Sequence, residues 1–131
     1  ALSSAASDVY KRQLVFNGPD EQYISGRAIG AEGGIGGTYG VMPELFLKME
    51  QLSSDGNLSE ARKVQYAVND IIYKMCSAHG NMYAVIKEIL RINENLDLGS
   101  VRLPLEALNE ADKEIAKEAA AMIKEAVTKF C

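Results

Sequence analysis

Residues 14–40 read LVFNGPDEQYISGRAIGAEGGIGGTYG, and they constrain the fold most because two short apolar runs each end in a polar or glycine-rich turn. Leu14, Val15 and Phe16 form a compact β-favouring run, which Asn17 and Gly18 stop. Pro19 can open a helix at its first position, where no backbone N–H is needed. Tyr23, Ile24, Arg27 and Ala28 recur at helical spacing, which predicts a helix over residues 20–29, closed by Gly30 in a left-handed conformation. Residues 33–36 predict a second strand with Ile35 as its only bulk. Its glycines imply a backbone approached closely by a ligand or by neighbouring strands. The unit is strand, helix, strand.

Beyond Gly40 the pattern is helical. Met42 and Pro43 start a segment in which Leu45, Phe46, Met49 and Leu52 share one face, and residues 53–56, SSDG, stop it. Asn57 with Glu60 has the spacing of a capping box, and Ala61, Val64, Val68, Ile71, Ile72 and Met75 trace an apolar stripe toward His79 and Gly80. Asn81 restarts the pattern with Met82, Val85, Ile86, Ile89 and Leu90. Past Asn95 a loop follows in which Pro104 forbids helix continuation, and Asn109 offers the next N-cap. Ile115, Ala119, Met122, Ile123, Ala126 and Phe130 line the last helix. Tyr66, Tyr73 and Tyr83 fall on or beside these stripes, where core or interface packing is the expected role.

Charge and cysteine usage exclude several classes of function. The formal net charge is -4, and the lysines are scattered, so the chain has no electrostatic footprint for nucleic acid. No apolar run approaches the roughly 18 residues of a membrane span. Cys76 and Cys131 lack CxxC spacing and a histidine cluster, so they read as free thiols suited to a reducing cytoplasm. His79, the single histidine, has no base or metal partner at motif spacing; no metal is expected.

The carboxylates Asp20 and Glu21 are the most informative polar residues. Adjacent acids at a helix start are stabilised by the macrodipole, and that alone can account for them. The glycine cluster ending in Thr38 and Tyr39 lacks the Lys-Ser/Thr of a P-loop and breaks GxGxxG spacing at Tyr39, so it is a weak phosphate signal.

NGPDE after one strand and GAEGGIGGTYG at the next resemble strands seven and eight of the N-acetylneuraminate lyase and dihydrodipicolinate synthase family of class I, Schiff-base aldolases. The resemblance runs from Leu14 to Cys131. It implies an α/β fold: residues 14–56 as the last two β/α units of a (β/α)8 TIM barrel, then residues 57–131 as a three-helix C-terminal extension. It further implies a pyruvate-dependent carbon–carbon lyase, most like N-acetylneuraminate lyase, that reversibly cleaves a 2-keto-3-deoxy sugar acid to pyruvate and an aldehyde.

In this family the Schiff-base lysine and a proton-shuttling tyrosine lie on earlier strands, upstream of anything in this chain, so no catalytic residue is expected here. Gly18, Asp20 and Glu21 match positions that hydrogen-bond the hydroxylated tail of the sugar acid, and Gly37 matches a further substrate-binding position. The lyases commonly have serine at Gly37, asparagine at Gly40 and an aromatic residue at Pro19, so one hydroxyl contact is missing. No cofactor is implied, and the family's assembly is a homo-oligomer, a tetramer.

Residues 3–13, SSAASDVYKRQ, lack apolar periodicity and resemble the in-frame translation of a transposase-type sequencing-library adapter. Residues 1–13 are therefore expected to be a non-native tail and left out of fold reasoning, with the natural sequence truncated at Leu14. Without Asp8, Lys11 and Arg12 the charge is 12 minus 17, or -5. A closed barrel needs about 250 residues. Three readings stay open: the C-terminal portion of a keto-acid aldolase, whether lyase, dihydrodipicolinate synthase or another of the family; a non-catalytic helical interaction module; and a different barrel enzyme with a phosphate site between strands seven and eight.

Overall fold

A computed structural model describes residues 14–131, so the expected adapter-like tail lies outside the described residues. Strand β1 (Phe16–Asn17) runs parallel to β2 (Gly33–Gly34), with Phe16 opposite Gly33 and Asn17 opposite Gly34. Flanking bonds extend the ladder: Glu32 N–H donates to Val15 at 2.8 Å and Ile35 N–H to Asn17 at 2.9 Å. Both strands are shorter than the sequence predicts because, among the described residues, each has only the other to pair with.

The crossover differs in detail from the single helix expected over residues 20–29. A 3-10 turn (Asp20–Gln22) leads into helix α1 (Tyr23–Ala28). Pro19 stays outside it in an extended conformation, its carbonyl accepting the Asn17 side-chain amide at 2.7 Å. Gly30 does close the segment at φ 99°. The Asn17 side chain is packed onto Gly26, where a Cβ would collide with it, so α1 lies close against β1.

Four longer helices follow: α2 (Pro43–Ser54), α3 (Leu58–Cys76), α4 (Met82–Glu94) and α5 (Glu110–Phe130). Asparagines begin three of them. The Asn57 side chain accepts Glu60 N–H at 3.5 Å, Asn81 accepts Tyr83 N–H at 2.9 Å, and Asn109 accepts Asp112 N–H at 2.9 Å. Asp112 completes a reciprocal capping box by accepting Asn109 N–H at 3.0 Å. It also accepts the N–H groups of His79 at 2.7 Å and Gly80 at 3.1 Å, which ties the α3–α4 turn to the start of α5.

One apolar core runs from Tyr23 through Leu45, Met49, Val68, Ile71 and Ile89 to Ile123, crossing the expected boundary at residues 56 and 57. Tyr66, Tyr73 and Tyr83 are not in it. They stand 60%, 62% and 53% exposed, so the core alternative for them does not hold. Tyr66 and Tyr73 are two turns apart on the face of α3 opposite its buried stripe. No described helix is long and apolar enough to cross a membrane.

Candidate functional site

The candidate residues gather where the chain leaves β1 and β2. Asp20 is 7% exposed, and no side-chain bond caps the turn it begins. Its carboxylate reaches across to the loop after β2 instead, where Oδ2 accepts the backbone N–H of Thr38 at 2.9 Å and the Thr38 hydroxyl at 2.6 Å. Thr38 is fully buried. Asp20 Oδ1 is buried too, yet it has no hydrogen-bond partner among the described residues. A buried carboxylate oxygen left unpaired is costly, and a hydrogen-bond donor is the group that would satisfy it.

The bareness of the second strand has a local cause. A Cβ on Gly34 would strike the Tyr39 hydroxyl, and one on Gly36 would fall on the Asp20 carboxylate. The close approach expected at these glycines is therefore made by the chain's own side chains. Tyr39 stacks on Phe46, with ring centroids 4.0 Å apart, and its hydroxyl is buried without a partner among the described residues. Burial, then the Asp20 charge, pushes that hydroxyl up to about 12.

Gly18 borders open space. Glu21 is half-buried, and its charge, after burial, helps raise the Cys76 thiol pKa. A Cβ on Gly37 would sit 3.2 Å from Tyr83 Cε1, 3.6 Å from Ile86 Cδ1 and 3.7 Å from Met82 Cε, so α4 fills the room a longer side chain would use. The structure thus joins Asp20 to the Gly37 loop through Thr38 and walls that loop with α4. Among the described residues no cluster of three or more His, Cys, Asp or Glu side chains could hold a metal ion.

Two residues bearing on the site escape a sequence reading. Gln65 Oε1 accepts Ile24 N–H at 3.1 Å, and Gln65 Nε2 donates to the Asp20 carbonyl at 3.1 Å. Asn69 Nδ2 donates to the Glu21 carbonyl at 3.3 Å. The available signal was a glutamine between Val64 and Val68, at the margin of the buried stripe of α3.

These features define an α/β protein whose strand ends carry a buried carboxylate tied to the loop after β2. The model of the dihydrodipicolinate synthetase family matches residues 2–126, and the chain belongs to that family. It is 68% identical over 117 residues to the N-acetylneuraminate lyase of Mediterraneibacter gnavus, a match covering 89% of this chain and 37% of the relative. Solved structures of a Ruminococcus gnavus sialic acid aldolase, wild type and catalytic lysine mutant, superpose with TM-score 0.92 at 59% identity, covering 100% of this chain and 45% of theirs. The N-acetylneuraminate lyase of Fusobacterium nucleatum complexed with pyruvate is similar at TM-score 0.82 and 29% identity, covering 92% of this chain and 40% of that one. The chain spans less than half the length of these relatives.

Proposed function

We propose that this chain forms the C-terminal portion of a pyruvate-dependent lyase of the N-acetylneuraminate lyase type. Residues 14–56 supply strands seven and eight of its (β/α)8 barrel, with their helices, and residues 57–131 supply the helical extension. The observation that carries this reading is the 68% identity to the Mediterraneibacter gnavus lyase. In the whole protein a lysine outside this chain forms the imine with the 2-keto acid and acts as electron sink when the carbon–carbon bond breaks. The solved catalytic lysine mutant of the Ruminococcus gnavus aldolase supports a lysine-dependent step. Every described lysine of this chain lies on α2 to α5, none on a strand or on the turns that follow the two strands.

In this reading Asp20 and Glu21 accept hydrogen bonds from the hydroxylated tail, and Asp20 Oδ1, without a partner among the described residues, supports that role. Gly18 leaves its backbone open to the ligand, and Gly37 leaves the loop beside Tyr83 without a hydroxyl of its own. The enzyme works in the cytoplasm as a homo-oligomer, a tetramer, and needs no cofactor.

The test is a chimera in which the part of the Mediterraneibacter gnavus lyase preceding the matched segment is joined to residues 14–131. Release of pyruvate from N-acetylneuraminate is expected from the chimera and not from the 131-residue chain alone. Borohydride should trap pyruvate only on the chimera. Asp20→Ala and Glu21→Ala should each lower kcat/KM for the sugar acid about ten- to a hundredfold, the effect of losing a hydrogen bond to a charged group, with pyruvate trapping retained. A folded chimera that traps pyruvate but cleaves no sugar acid would overturn the substrate assignment. A stoichiometric adduct on the chain alone would overturn the placement of the lysine.

A further inference from the structure

We propose that Gln65 and Asn69 of α3 are positioning residues that set the placement of the Asp20 and Glu21 carboxylates, so that the helical layer helps select the hydroxylated substrate tail. The inference rests on the assignment of those two acids to substrate binding.

The turn Asp20–Gln22 has no side-chain cap, and its backbone groups need partners from elsewhere in the fold. Gln65 and Asn69 supply them from one helical turn of α3, four residues apart on one face. Gln65 is 4% exposed and uses both ends of its amide: Oε1 holds Ile24 N–H, while Nε2 is shared between the Asp20 carbonyl and Asn69 Oδ1, the latter at 2.9 Å. Asn69 passes the chain of bonds on to the Glu21 carbonyl. The two carbonyls gripped belong to the two residues whose side chains form the acidic site.

Thr38 fixes the far end of Asp20, so its backbone and its carboxylate are anchored from opposite sides. Glu21 has only the backbone anchor among these bonds, which makes its placement the more dependent on Asn69. Core packing alone would not require amides here, since an apolar side chain fills the same volume. A buried amide with every bond satisfied specifies one geometry, and a displacement of about 1 Å at a reacting site can cost about a hundredfold in rate.

The experiment uses the chimera with Gln65→Leu and, separately, Asn69→Ala at a half-buried position, with folding of each checked by far-ultraviolet dichroism. Two substrates are compared: N-acetylneuraminate, and a short 4-hydroxy-2-keto acid without the hydroxylated tail. Both variants should lower the kcat/KM ratio of long to short substrate about tenfold or more, with borohydride trapping of pyruvate unchanged. Asn69→Gln or Gln65→Asn should not restore the ratio, because the donor then falls a methylene out of place.

A purely structural role would lower both substrates equally and reduce trapping with them, and that outcome overturns the proposal. Asp20→Ala and Glu21→Ala are run alongside. If they shift the ratio and the amide variants do not, the positioning claim fails alone; if none of the four shifts it, the assignment of the acids fails as well. Should Gln65→Leu not fold, Asn69→Ala decides.

Discussion

Gly36 lies directly beneath the Asp20 carboxylate, in the space a Cβ would need. Asp20 cannot swing away freely, because Thr38 holds it by two hydrogen bonds. Gly36→Ala is therefore expected to destabilise the chain by about 1–3 kcal/mol, the usual cost of overpacking a buried site. Gly40→Ala, where nothing lies within 4 Å, should stay within about 0.5 kcal/mol of the parent. Urea denaturation of both variants checks the contrast, and equal stabilities would contradict it.

Glu50 joins α1 to α2. It accepts Arg27 Nε and the Tyr23 hydroxyl, each at 2.7 Å, and pairs with Arg27 Nη2 at 2.5 Å. The Arg27 bond holds the Glu50 carboxyl below its ordinary range, with Tyr23 adding and burial opposing. A depressed folded value means the stabilisation is complete above the unfolded pKa of about 4.3 and is lost as pH falls through the folded value. Glu50→Ala should cost about 1–3 kcal/mol at neutral pH and flatten the acid limb of stability against pH. An unchanged acid limb would show that the pair contributes nothing to folding.

Asp112 is the acceptor for three backbone N–H groups from two separate segments. Those bonds, Asn109 first and then His79 and Gly80, hold its carboxyl below the usual range, so its contribution too is present at neutral pH and lost on acidification. Asp112→Asn keeps the shape but can offer only one good acceptor, and Asp112→Ala offers none. Tm should fall in the order parent, Asn, Ala. Calorimetry that found the two variants equal would reduce the carboxylate to a simple helix cap.

Local stability should be graded along the chain. The two strands pair only with each other among the described residues, and Leu14, Phe16 and Ile35 are 69%, 44% and 69% exposed. The stripes of α3, α4 and α5 are buried against one another and include Val68, Ile71, Ile89 and Ile123. Hydrogen exchange is expected to be fastest over residues 14–36 and slowest at the centres of α3 and α5. Slowest exchange in the strand pair would mean that it forms the stable nucleus.

Helix positions were legible because their signals are local. Asn57 and Asn109 each stand where a cap is expected, Asn81 caps the helix whose pattern it restarts, and Asn95 ends α4 at φ 54°. Spacing alone gave the buried faces of α3 to α5. The acidic turn was legible as a pair of carboxylates but not as geometry: NGPDE marks the candidate site, while the turn of Asp20 away from the helix start toward Thr38 depends on a strand pairing that no local pattern encodes. Gln65 and Asn69 were hidden for a related reason, since their partners are carbonyls, which carry no side-chain identity for a sequence to display. The core alternative for the exposed tyrosines fails because proximity to a stripe in sequence does not say on which side of it a residue stands.

The aromatic side chains divide the molecule in a way that can be read with light. Tyr39 stacks on Phe46, and Tyr23 meets both edge-on, at 6.0 Å from Tyr39 and 5.6 Å from Phe46, joining α1, the loop after β2 and α2. Tyr66, Tyr73 and Tyr83 project from the helical layer toward solvent, and the chain contains no tryptophan. Asymmetrically packed rings give strong near-ultraviolet dichroism and freely turning ones give little, so that band reports the order of the segment carrying the acidic turn, while the far-ultraviolet band follows the helices that hold it.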